Sequence, residues 1–274
     1  MSSIYATLRI ERAGGIAQVT MAAGVFNAFD EAMIAELDAA FAALEADASV
    51  RVVVLAGAGK HFSAGADLQW MQRASQPRAE RNVADARRFA AMLARIEACA
   101  KPTVARKCAA LGGGVGLTAA CDIAIAAADN ASFSVSEAKF VSCSRSSARS
   151  RGERGGQAAA LQAALTTERI GAADALAIGL VQRVVLLDDL DAAVEAVAAQ
   201  LVEGGLQAQR EIKQLFARLQ PGPITADVRE LTAQTIARVR GTDEAREGFA
   251  AFLGKRPAAW VPKREPDTDS PSIA

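Results

Sequence analysis

No apolar run in this sequence approaches the ~20 uninterrupted residues that a membrane-spanning helix needs. Its first residues, MSSIYATLRIERAGG, lack the basic start and apolar block of a secretory leader. Cysteine is scarce and unpatterned: Cys99, Cys108, Cys121 and Cys143 form no CxxC pair, and His61 is the only histidine available to join them at a metal. That scarcity argues against a zinc site and for buried, reduced thiols in a cytoplasmic protein. Net charge is also missing, with 31 basic residues against 31 acidic ones, so no global field draws the chain to nucleic acid or to a membrane surface. Aromatic residues are only 5% of the chain, which leaves the core to be built from Ala, Val, Leu and Ile.

What is present is a chain of 274 residues, enough for one large domain or a domain with an appendage. The pattern predicts strands at 4–10 and 16–21 around Gly14-Gly15, then a helix over 30–46. Met33, Ile34, Leu37, Phe41 and Leu44 share one face of that helix, and Asp30 is placed to cap it. The run from Val50 to Ala56, rich in β-branched residues, reads as a buried strand. Helical spacing returns over 80–98, followed by a strand from Pro102 to Ala109 and another from Asp122 to Ala127. A short helix from Ala172 to Ile178 closes at Gly179, ahead of a last strand from Leu180 to Val185. Repeated strand–helix units with buried strands predict an α/β fold. From about Asp188 the pattern is wholly helical, with later helices expected at 206–219, 225–240 and 243–253. The expected division is an α/β core over 1–200, a helical region over 201–261, and a loose Pro-rich tail over 262–274.

Two glycine-rich stretches each follow a predicted strand. The first, Gly57 to Asp67 (GAGKHFSAGAD), is not a phosphate loop, because Val54 stands where the required earlier glycine belongs. The second, Gly112-Gly113-Gly114-Val115-Gly116, is not a dinucleotide fingerprint, because Leu117 takes the final glycine position. Glycines at a strand-to-helix turn nonetheless let backbone N–H groups approach a ligand, and a helix start leaves such groups unpaired. Two such turns aimed at one oxygen would form an oxyanion hole, each donor worth about 2.7–4 kcal/mol in a dry site. The competing reading is that these glycines only permit tight turns and close packing.

The segments HFSAGADLQWM, KPTVARKCAALGGGVGLTAACDIAIAA and FSVSEAKF resemble, in order and spacing, the three signature segments of the crotonase (enoyl-CoA hydratase/isomerase) family. The later TTERIGAADALAIGLVQRVV and AFLGKRPAAW extend the resemblance over nearly the whole chain. The form of the first two segments is most similar to a bacterial subgroup that includes methylglutaconyl-CoA hydratases. The resemblance implies a crotonase-type spiral of repeated β-β-α units with a C-terminal helical trimerisation region, giving a homotrimer or a dimer of trimers. It implies an acyl-CoA thioester substrate whose oxygen lies between the N–H groups of Ala66 and Gly113, with Glu137 as acid/base. Ala64, Ala66, Asp67, Leu68, Gln69 and Gly113 would line the coenzyme A groove, with Phe252 and Lys255 meeting the same moiety. No separate cofactor is implied, since coenzyme A is part of the substrate.

The chain also departs from the family. Gly116 occupies the position where hydratases usually carry a further glutamate, which leaves open a hydratase with one carboxylate or an enoyl-CoA isomerase, and the unusual segment 141–156 adds a third reading, a weak acyl-CoA-binding homologue. After Phe140 the family's apolar pocket floor is replaced by VSCSRSSARSRGERGG. This stretch reads as a solvated loop, an Arg-lined site for an acidic acyl group, or a segment outside the original reading frame. The retained length with lost character favours the last. At Met21 to Asn27 a Pro-containing turn that helps hold coenzyme A in the family is absent. His61 occupies a variable slot and is read as incidental. Trp70 and Met71 suit either an acyl pocket or the buried face of a short helix.

Overall fold

A computed structural model of the chain describes residues 5–74, 79–107, 109–135, 161–219 and 223–262. A hairpin of β1 (Leu8–Ala13) and β2 (Ile16–Met21) opens the main sheet, whose order is completed by β3 (Val52–Gly57), β5 (Thr103–Lys107), β7 (Ile123–Ala127) and β10 (Arg183–Val185). From β2 onward the neighbours run parallel. All six residues of β3 are buried, as expected for a parallel strand covered on both faces. Its side chains alternate between two cores. Val53 and Leu55 face α1 (Glu31–Ala46) and α3 (Ala79–Ala98), while Val52 and Val54 meet Val104, Ile125 and the Leu190, Val194 and Val197 face of α6 (Leu190–Glu203).

The second layer is a sheet of short strands: β4 (His61–Ser63), β6 (Ala109–Leu111), β8 (Ser132–Ser134) and β9 (Ile170–Gly171). Strands β3, β5 and β7 each lead within a few residues into β4, β6 and β8, and the first two of those units end in helices. Helices α2 (Leu68–Ala74) and α3 follow β4, and α4 (Gly113–Ala120) follows β6. This is the repeated β-β-α path expected of the crotonase fold. The stretch from Pro102 to Ala109, expected as one strand, is divided between the two sheets. The strand expected from Leu180 forms only at β10, because Leu180 and Val181 bond back to Ala175 O at the end of α5 (Ala172–Ala177). Asp30 caps α1 as expected, its carboxylate accepting from the Ala32 and Met33 N–H groups.

The sheet has two functionally different ends. At the N-terminal ends of its parallel strands lie α7 (Leu206–Arg218), α8 (Ala226–Arg240) and α9 (Asp243–Leu253). Lys213 on α7 donates to Asp122 Oδ2 at 2.6 Å and to Lys101 O at 3.1 Å, just ahead of β7 and β5. Arg51, just ahead of β3, donates to Gly204 O, and Trp260 donates to Glu203 O. The glycine-rich turns lie at the opposite, C-terminal ends. Among the described residues no helix is long and apolar enough to cross a membrane.

Candidate active site

The first turn leaves β4 at Ser63 and is held by three residues. Asn27, fully buried with φ 48°, donates from Nδ2 to Ala58 O and His61 O. Asparagine tolerates this left-handed backbone better than most residues. Ser63 Oγ donates to Asn27 O at 2.8 Å and accepts from the Gly65 N–H at 3.1 Å. Phe29 completes a parallel bridge to Ala66: Phe29 N–H donates to Gly65 O, and Asp67 N–H donates to Phe29 O. The bridge uses the groups on either side of Ala66, so the Ala66 N–H itself is turned away from Phe29.

The second turn joins β6 to α4. Gly112 has φ 50°, which favours glycine, and donates its N–H to Ser134 O at the end of β8 at 2.7 Å. Gly113 then opens α4, where an N–H has no intrahelical acceptor. The triplet is also a contact surface. A Cβ on Gly113 would stand 2.4 Å from Phe29 Cζ, and one on Gly114 would stand 2.6 Å from Ser63 O. Both readings of the glycines therefore hold at once: they permit close packing, and they leave a donor at the helix start.

The two turns meet. Gly65 has φ 84°, and a Cβ built on it would lie 2.8 Å from Leu111 O and 3.0 Å from Gly113 N. The peptide leading into Ala66 is thus one side-chain position away from the start of α4. Neither the Ala66 nor the Gly113 N–H has a hydrogen-bond partner among the described residues. Such a pair, at a helix N-terminus, can accept developing negative charge on an oxygen.

The other expected site residues divide into two groups. Ala64, Asp67, Leu68 and Gln69 adjoin the first turn. Ala64 N–H donates to Phe26 O, and Asp67 Oδ1 accepts from the Trp70 N–H at 2.7 Å, so its side chain caps α2. Leu68 and Gln69 are exposed on the rim. Phe252 and Lys255 are not brought to this place. They end α9, exposed, at the far end of the sheet from the glycine turns. Glu137 and the Ser/Arg stretch 141–156 lie outside the described residues. The sequence places Glu137 two positions beyond Val135, just after the strand that anchors Gly112. Gly116 is buried inside α4 and contributes no carboxylate there.

Asn27, Ser63, Phe29 and Phe89 escape sequence reasoning, although each supports the turns. A single asparagine closing the apolar MAAGVFN segment was the available signal for the first. Phe89 on α3 stacks on Phe29 with ring centroids 5.1 Å apart, a contact between distant segments that no local pattern announces.

Comparison with known proteins agrees with this architecture. Residues 11–263 match the sequence profile described as Enoyl-CoA hydratase/isomerase. A crotonyl-CoA hydratase from Syntrophomonas wolfei is 32% identical over 86% of this chain and 90% of its own length. A carnitinyl-CoA dehydratase from Escherichia coli is 31% identical over 93% of this chain and 98% of its own length. The crystal structure of an enoyl-CoA hydratase from Shewanella pealeana superposes with a TM-score of 0.86 at 34% identity, covering 94% of this chain and 97% of that one.

Proposed function

Because the chain belongs to the enoyl-CoA hydratase/isomerase family, we propose that it adds water across the double bond of a short-chain 2-enoyl-CoA. The observation that carries this reading is the abutment of two glycine turns, whose Ala66 and Gly113 N–H groups have no hydrogen-bond partner among the described residues. Hydration moves electrons toward the thioester carbonyl. The water oxygen bonds to C3, the C2–C3 π pair shifts to give an enolate, and negative charge collects on the thioester oxygen. A proton then goes to C2 and the carbonyl reforms. Two fixed donors stabilise the enolate more than the ground-state carbonyl, which is the condition for faster chemistry. Water must lose a proton as it attacks, and Glu137 is the group assigned to take it and to help return one to C2. Coenzyme A enters and leaves as part of the substrate, so the step needs no separate cofactor.

The groove for coenzyme A runs along Ala64, Ala66, Asp67, Leu68 and Gln69. Asp67 contributes by capping α2 and so fixing the rim, while its neighbours offer backbone and apolar surface. Phe252 and Lys255 join this groove from another copy of the chain, since their own lies at the other end of the sheet. A homotrimer or dimer of trimers built through α7–α9 satisfies that geometry. The buried free thiols Cys99 and Cys121 suit a reducing cytoplasm.

A second reading, isomerisation between 3-enoyl and 2-enoyl thioesters, is favoured by Gly116, which leaves one assigned carboxylate. Purified protein given crotonyl-CoA bleaches the conjugated thioester absorbance if it hydrates; a 3-enoyl-CoA gains that absorbance if the protein isomerises. Hydration is the expected result. Glu137→Gln is expected to cut kcat by about 10²–10⁴-fold while coenzyme A ester binding persists. Unchanged turnover in that variant removes Glu137 from the mechanism.

A further inference from the structure

Helix α3 changes character along its length. Met92, Leu93 and Ile96 in its C-terminal half are buried in the core, whereas residues 82–88 of its N-terminal half are exposed apart from Asp85. Phe89 stands at the boundary, half-buried. Just before it, Arg88 reaches across the exposed side of the α3–α1 contact to Glu31 Oε1 at 3.0 Å and also pairs with Asp85. The Phe89 ring lies nearly parallel to Phe29, with 18° between planes. Both ring tips converge on Gly113: a Cβ there would be 2.4 Å from Phe29 Cζ and 3.1 Å from Phe89 Cζ. Phe29 is sealed in the core, whereas Phe89 is only partly buried beside the donor turn.

We propose that Phe89 is a specificity-determining residue, whose ring ends the space for the acyl chain beside Gly113 and confines the protein to short acyl groups. The inference rests on the proposed function, in that Gly113 must hold the thioester oxygen. A carbonyl oxygen at hydrogen-bond distance from Gly113 N puts the first acyl carbons within van der Waals reach of a ring that already touches Gly113. The ring cannot retreat inward, because Phe29 is stacked behind it. Nor can the helix slide easily, because its next turns are anchored in the core by the buried Met92, Leu93 and Ile96. A longer chain must displace the ring or turn away from it.

The test compares Phe89→Ala with the unaltered protein, measuring dissociation constants for butyryl-CoA and octanoyl-CoA by calorimetry and kcat/KM for crotonyl-CoA and 2-octenoyl-CoA. Removing the ring is expected to shift the long-to-short ratio toward the longer chain by about tenfold or more in both binding and kcat/KM, the scale of a one-methylene fit in an apolar pocket. Phe89→Leu is expected to shift it less, and serves in place of the alanine variant if that fails to fold. Equal losses on both chain lengths, or an unchanged ratio in a folded variant, would overturn the inference while leaving the hydratase reading in place. If the unaltered protein binds neither ester, the proposed function itself fails. Binding by saturated esters reports the pocket even where turnover is absent.

Discussion

A backbone N–H is invisible to ordinary mutagenesis, because every residue except proline carries one. At Ala66 the neighbours make the position more informative still: Phe29 N–H and Asp67 N–H carry the bridge, so the Ala66 donor contributes nothing to that ladder. Replacing the Ala66 amide by an ester, with lactic acid in place of alanine, removes the donor and leaves the methyl side chain. We expect kcat to fall by about 10²–10³-fold with little change in melting temperature, measured on semisynthetic protein. A melting temperature that falls in step with kcat would instead make the group structural. The glycines at these turns were legible in the sequence because backbone demands leave a compositional trace. Asn27 and Ser63 were not, since a side chain that bonds to the backbone of a distant loop leaves no periodic mark. Thr167 shows the limit from the other side: it is buried at φ 56° with no partner for its hydroxyl among the described residues, a conformation that its β-branched side chain gives no hint of.

Among the elements, the long helices and the short one closed by Gly179 were read well, and the shortest strands were missed. Helices α1, α3 and α6 through α9 carry several turns of apolar spacing each, enough for a 3.6-residue period to emerge. Strands β4, β6, β8 and β9 have two or three residues each, fewer than alternation needs to show itself, so the whole second sheet was hidden. The segment after α9 is held by a different device. Glu247 accepts from both terminal nitrogens of Arg256, at 2.6 and 2.9 Å, and from the Ala259 N–H at 2.7 Å. The Arg256 bonds first, and the Ala259 bond second, pull its pKa from 4.5 down to about 2. A depressed carboxylate stabilises the folded arrangement above the unfolded pKa and stops doing so as protons bind. Docking of residues 256–262 is therefore expected to hold above pH 4.5 and loosen between there and about pH 2. Trp260, which donates to Glu203 O and lies over the Arg51 guanidinium, reports it by fluorescence in a Trp70→Phe background. In Glu247→Gln the loosened signal should already be present at neutral pH.

For the molecule as a whole, the helical end exposes an apolar surface that we propose a second copy of the chain covers. Helix α7 has no buried residue, and Ile212, Phe216, Ile236, Phe249, Phe252 and Leu253 are all exposed. Apolar surface gathered on consecutive helices marks a surface that another chain covers. We expect sedimentation of a trimer or hexamer, and dissociation to monomers in the double variant Phe216→Glu, Phe249→Glu, with weaker coenzyme A ester binding as Phe252 and Lys255 are withdrawn. A monomeric unaltered protein that binds the ester fully would contradict the shared groove. The oligomer is an expectation from the resemblance in sequence, whereas the residue pattern alone gave helices without their neighbours. Within one copy, the path from β3 to β4, β5 to β6 and β7 to β8 has its own outcome. Three strands of the large layer, β3, β5 and β7, each hand the chain to the small layer after only a few residues, so the two layers are stitched together three times along the chain. We expect the thin sheet that frames the glycine turns to borrow its permanence from the broad one, the two melting in a single cooperative transition by calorimetry.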